Sequence, residues 1–166
     1  METMEARMVK LYARNNNHVA LHAIPGHFAT SHSHINFYID MTSLKTRANE
    51  AQEVAKSLAG DYVNSTVVDT IVCMDGTEVV GAYLAQEFEK RGFRNTNLHD
   101  TIYVVTPEYN ANNQLIFRDN TIPAIKGKNV ILLLANYNDG TDCAAQSGVR
   151  AVLWRNCPMA FLSILQ

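Results

Sequence analysis

The sequence predicts one α/β domain with a mostly parallel central sheet flanked by helices, and three observations carry that expectation. The first is the unbroken apolar run Val130 to Leu134, followed by Ala135-Asn136-Tyr137-Asn138-Asp139-Gly140 and then by a segment from Thr141 in which Cys143, Ala144, Ala145, Val149 and Val152 can cover a helix face. A strand apolar on both sides, a Gly-containing loop and a helix form the unit of a parallel sheet, whose ligands collect at the carboxyl ends of the strands. The second is the same order of elements in Val67 to Met74 (VVDTIVCM), the turn Asp75-Gly76-Thr77, and a helix from Glu78 to Arg91 with Val80, Leu84 and Phe88 in one stripe. The third is size and composition: 166 residues, 47% hydrophobic and 18% charged, are enough for one domain with a real core and tight for two.

The other elements follow in chain order. Glu2 to Arg14 places Met4, Met8, Leu11 and Tyr12 on one side of a short helix. The segment NNNHVALHAIPGHFATSHSHINFYID ends in an alternating strand, Ile35 to Asp40. Five of the six histidines lie in it: His18, His22, His27, His32 and His34. A metal site would use His18 and His22 at i and i+4, or His32 and His34 on one strand face. A polar hairpin is the expected reading, because no carboxylate or Cys falls close by to complete a closed site and Pro25-Gly26 interrupts any common scaffold.

Ser43 to Ala59 is the clearest helix, with Leu44, Ala48, Ala51, Ala55 and Leu58 spaced three and four apart, Thr42 or Ser43 as cap and Gly60 as the stop. Thr101 to Thr106 is a third strand, and Tyr109 to Asn113 is the tip of a hairpin or an exposed loop. After the last helix a turn at Asn156-Cys157-Pro158 leads to a final strand, Met159 to Leu165, and Trp154 is expected to be a packing residue.

The net charge of −2 with no Lys/Arg cluster gives no footprint for nucleic acid. Cys73, Cys143 and Cys157 are far apart and odd in number, so neither a disulfide framework nor a zinc ribbon is expected. Charges run through METMEARMVKLYARNNN, which lacks the apolar core of a signal peptide, and no apolar run reaches the length of a membrane span. A cytoplasmic protein with no membrane partner is expected.

Two segments carry a family likeness. KGKNVILLLANYNDGT, with Gly127-Lys128, Val130, Gly140 and Thr141, resembles the ribose-5-phosphate signature of type I phosphoribosyltransferases. The stretch from Phe28 to Asp40 is similar to the amino-terminal signature of the orotate enzymes at Phe28, Ser31, Tyr38, Ile39 and Asp40. The resemblance implies a single-domain Rossmann-like phosphoribosyltransferase fold over 1–166, with a helix and hood hairpin over 1–42, a core over 43–166 and a homodimer. It assigns the ligand loop to Asn138, Asp139, Gly140, Thr141 and Asp142, the pyrophosphate loop to Asp75, Gly76 and Thr77, and the base side of the hood to Phe28, Ser31 and Tyr38. Taken alone, Asp75 or Thr77 reads as a helix cap.

Ribosyl transfer from a sugar diphosphate separates charge, so it needs preorganised donors, carboxylates on the ribose hydroxyls and usually magnesium. The family's acidic pair falls on Leu134 and Ala135, its Arg-Lys junction on Thr106-Pro107, and its hood Gly and Lys on His32 and Ser33. The loop from Glu108 to Asn120 keeps a single cation, Arg118. Asp139 and Asp142 flank the phosphate loop, and an acid about 4 Å from a phosphate costs about 1–4 kcal/mol. The expected function is an orotate phosphoribosyltransferase-like protein without transfer chemistry that binds a nucleoside, base or sugar, or serves regulation. Two alternatives stand beside it: an active orotate-type pentosyltransferase using magnesium, and an interaction subunit with an empty cleft.

Overall fold

The computed structural model describes residues 4–13, 16–29, 34–62, 67–74, 76–90, 101–112, 114–135 and 149–154. A single 3-10 turn, Met4–Arg7, opens them and leads into β1, Val9–Ala13. The long strand β2, Asn16–Ala29, and β3, His34–Asp40, complete an antiparallel sheet in the order β1-β2-β3. The helix expected over residues 2–14 is therefore largely a strand. Val9 pairs with Ala23 and Leu11 with Leu21, and a neighbouring strand outweighs the weak local preference for helix in a short segment.

β2 carries Pro25 inside its run. Register shifts between Pro25 and Phe28, where the β2–β3 ladder breaks and resumes, as expected for a residue with no N–H to give. Gly26 lies in this irregularity, and a Cβ there would come within 3.0 Å of the Phe28 ring.

The expected helix over 43–59 is two helices, α1 (Thr42–Thr46) and α2 (Ala48–Tyr62). Arg47 separates them with an extended ψ of 120°, while its N–H still donates to the Ser43 carbonyl at 2.9 Å. Gly60 does not end α2, which runs on to Tyr62; the position is exposed, with open space around it. Of the expected stripe, Leu44, Ala51 and Ala55 are buried, whereas Ala48 is exposed and Leu58 half-buried, and Ala59 is completely buried in addition.

The second sheet is built from β4 (Thr70–Cys73), β5 (Tyr103–Val105), β8 (Val130–Ala135) and β9 (Val149–Trp154), in the order β5-β4-β8-β9. β4 runs parallel to both β5 and β8, with Thr70 opposite Tyr103 and Val130. Ile71, Val72 and Cys73 of β4, with Val130, Ile131 and Leu133 of β8, have no exposed surface. α3, Glu78–Lys90, follows β4 and buries Val80, Leu84 and Phe88. The fold is thus mixed α/β, with a small parallel group of three strands and antiparallel pairing around it.

β9 corrects one expectation. Val149 and Val152 were to lie on a helix face, yet they belong to a strand antiparallel to β8, paired with Ala135 and Leu132; β-branched residues suit that environment. Between β5 and β8 come a hairpin of β6 (Glu108–Tyr109) and β7 (Leu115–Ile116) and the short helix α4, Ile122–Ile125. The expected hairpin tip is present: Asn110 Oδ1 accepts from the N–H groups of Asn112 and Gln114, both at 2.9 Å. The expected last strand over 159–165 lies outside the described residues.

Two apolar clusters sit on the two faces of the parallel group. One joins Ile71, Cys73, Ile131 and Leu133 to α2 and α3, with Val19 and Leu21 of β2 packed against it. The other joins Val72, Val130 and Leu132 to Leu115 and Ile125. Period-two alternation in strands buried on both sides produces this split. At the amino end of the pair, Asn129 N–H donates to Asp69 Oδ2 and Asp69 N–H to the Asn129 carbonyl, each at 2.9 Å. Among the described residues, no helix is long and apolar enough to cross a membrane.

Candidate functional site

β8 runs past the end of β4 by Leu134 and Ala135. Cys73 pairs with Leu133, and Met74 N–H donates to the Leu133 carbonyl at 3.0 Å. Beyond Met74 the chain turns through Gly76, whose φ of +78° is the left-handed conformation that glycine adopts without strain. Thr77 is fully buried at the entry to α3. Its hydroxyl donates back to the Met74 carbonyl at 2.8 Å, and its own carbonyl accepts the first helical bond from Gly81 at 2.8 Å. Thr77 therefore fastens the turn to the strand end, a different task from side-chain capping of the helix.

The thiol of Cys73 faces this turn from below. Burial pushes it up to about 12, the nearby Glu78 carboxylate adds to that, and the Thr77 hydroxyl opposes it. A thiol so placed stays protonated and behaves as a small apolar side chain. The fit is close: a Cβ at Gly81 would run into Cys73 Sγ, so glycine at this point lets α3 lie against β4.

Lys45, in the last turn of α1, reaches the same place. A Cβ built at Gly76 would stand 3.9 Å from Lys45 Nζ, which sets an ammonium against the loop between β4 and α3. The sequence reading passed over Lys45 because its helix had an evident core role, and no spacing rule links it to a loop thirty-odd residues later. The Lys45 charge also acts on the Asp40 carboxylate, and Glu78 lies in the first turn of α3. Glu78 suits the positive end of the helix and competes there with an external anion.

No family model matches the chain, and no curated protein or solved structure matches it either.

The residues singled out from the sequence fall into three groups. Gly76 and Thr77 are together at the carboxyl end of β4, as expected, whereas Asp75 lies outside the described residues. Asn138, Asp139, Gly140, Thr141 and Asp142 also lie outside them. Phe28 and Tyr38 meet across β2 and β3, with ring centroids 5.8 Å apart at 47°; Ser31 is outside the described residues.

Leu134 and Ala135, where a carboxylate pair would be wanted, lie inside β8, and Ala135 is completely buried. Pro107 is buried as well, and Arg118 Nε donates to Glu108 Oε1 at 2.7 Å across the β6–β7 hairpin, a pairing that raises the guanidinium's proton affinity further. Arg118 is thus engaged with its own hairpin. Among the described residues no group of three or more His, Cys, Asp or Glu could hold a metal ion.

Proposed function

We propose that this chain is an orotate phosphoribosyltransferase-like protein, built on a Rossmann-like sheet, that has lost diphosphate chemistry and binds a base, nucleoside or sugar of at most one negative charge. The observation that carries the reading is the turn at Gly76, at the carboxyl end of a strand parallel to both its neighbours, with the Lys45 ammonium beside it. Ligands of parallel α/β sheets collect at that edge. The Lys45 ammonium, whose charge also acts on Asp40, favours a neutral or singly charged ligand over a diphosphate, whose extra charges would each meet an acid at about 1–4 kcal/mol. The Leu134-Ala135 end of β8 offers no carboxylate to ribose hydroxyls, which supports loss of transfer over its retention.

The test is a thermal-shift panel of orotate, uridine, ribose 5-phosphate and phosphoribosyl diphosphate with magnesium. A ligand at a hundredfold excess over its Kd stabilises the native state by about 2.7 kcal/mol. Orotate and uridine are expected to raise Tm while the diphosphate leaves it unchanged, and Lys45→Ala should remove the orotate shift while sparing that of uridine. Steady turnover of orotate and phosphoribosyl diphosphate would overturn the reading in favour of an active transferase.

A second reading, an interaction subunit or homodimer with an empty cleft, is favoured by one observation. Val9, Leu11, Tyr12, Phe37 and Tyr38 of the amino-terminal sheet are exposed large apolar residues. Silence across the whole ligand panel, together with a mass that doubles with concentration, would favour it.

A further inference from the structure

We propose that His27 and His34 form a two-nitrogen chelating site for one divalent transition-metal ion of the Cu(II) or Ni(II) type, on the outer end of the amino-terminal sheet. His27 Nε2 and His34 Nδ1 are 2.9 Å apart, and the two rings lie 4.9 Å apart between centroids at an angle of 24°. Both side chains are exposed. His34 is the ladder partner of Ala29, and His27 stands two residues before Ala29 in the irregular stretch of β2, from which its ring reaches that of His34. His27 lies within the register shift between Pro25 and Phe28, the kind of irregularity that re-aims side chains at the rim of a sheet.

The geometry selects the metal. With metal–nitrogen bonds of about 2.0–2.1 Å, two nitrogens 2.9 Å apart subtend roughly 90° at the ion. A tetrahedral ion would need them at about 3.3 Å on the same bond lengths. A right angle is the cis angle of square-planar, tetragonal or octahedral coordination, which neutral imidazoles supply to Cu(II) and Ni(II). The two nitrogens now face each other through one hydrogen bond, which joins a protonated ring nitrogen to a bare one. Binding moves that proton to the far nitrogen of its ring and requires a ring reorientation that keeps the 2.9 Å separation while turning both lone pairs to a common point. Water fills the remaining positions, because the site faces solvent. Cu(II) should bind best by the usual order of divalent affinities.

The test is a titration of the full chain with Cu(II), Ni(II) and Zn(II) near neutral pH, with the electron paramagnetic resonance spectrum of the Cu(II) form. One Cu(II) per chain is expected, with hyperfine structure from two imidazole nitrogens and affinity in the order Cu(II) over Ni(II) and Zn(II). His27→Ala and His34→Ala should each weaken Cu(II) roughly tenfold or more and leave a different nitrogen count, whereas His18→Ala and His22→Ala leave binding unchanged. His27→Gln and His34→Gln, which keep a polar group on the ladder, repeat the measurement, with far-ultraviolet circular dichroism confirming the fold. Wild-type affinity in any of the four variants at positions 27 and 34, a one-nitrogen spectrum, or tighter Zn(II) than Cu(II) overturns the assignment.

Discussion

The two sheets of this molecule reach order by opposite means. In the β5-β4-β8-β9 sheet the central strands have apolar residues on both faces, and α2 and α3 close one side. In the β1-β2-β3 sheet the packed residues lie on β2, with Ala23 and Ile24 buried, while Leu11 of β1 keeps half its surface and Tyr12 about three-fifths, so the backbone ladder supplies more of the regularity there. Burial makes a segment intolerant of volume change, whereas a solvated ladder tolerates side-chain change and depends on register. The difference separates the candidate ligand edge, which sits on the rigid sheet, from the histidine pair, which sits on the exposed one.

The sharpest way to break that comparison is a matched pair of truncations. Leu133→Ala should destabilise by about 2–5 kcal/mol, because the site lies between packed layers that cannot collapse around the loss. Leu11→Ala should stay near 0.5 kcal/mol. Equal midpoint shifts in urea unfolding would show that the sheets do not differ as described.

A smaller effect tests the contact under the candidate site. Gly81→Ala should cost about 1–3 kcal/mol by forcing its new methyl group against Cys73 Sγ. Adding Cys73→Ala should recover part of that loss, giving a double variant more stable than the two single effects predict. Additivity in the cycle would show that α3 and β4 do not meet there.

The smallest concerns the junction of the amino-terminal sheet with α1. Asp40 Oδ1 accepts from Thr42 N–H at 2.9 Å, and its bonds to Thr42, aided by the charges of His22 and Lys45, hold its carboxyl below the ordinary 3.8. A carboxylate lowered in the folded state stabilises above its unfolded value and loses that contribution as pH falls through the folded one. Asp40→Asn should therefore cost about 0.5–1 kcal/mol at neutral pH and nothing well below pH 3.8. A gap between the two proteins that persists into strong acid would assign the effect to something other than this charge.

Much of the rigid sheet was legible in the sequence, since uninterrupted apolar runs such as Val130 to Leu134 leave few options besides a strand buried on both faces. The stripe Val80, Leu84, Phe88 was equally plain. The exposed sheet was harder. Met4, Met8, Leu11 and Tyr12 fit a helical spacing, while Val9 and Leu11 also fit an alternation, and only the pairing with β2 decides between them. Val149 and Val152 followed small residues that suit a helix, and the direction of a strand relative to its neighbours leaves no mark in its own residues. Within the candidate site, glycine at position 76 was legible as a turn, whereas Lys45 and the fit of Cys73 under Gly81 arise from helices crossing a sheet. The extended Arg47 between α1 and α2 has no sequence signal, because neither glycine nor proline marks the break and Arg47 and Ala48 both favour helix.

Asp69 and Asn129, which join the amino ends of the two central strands, stand 60 positions apart in the chain. During synthesis the first of those strands leaves the ribosome long before its neighbour exists, so one of its edges must wait unpaired. Joining them closes a large loop, whose entropy penalty grows only with the logarithm of its length but must be met before any contact returns it. Assembly of this sheet is therefore a late event, and a chain shortened before residue 130 would be left with an apolar strand edge open to association with others of its kind.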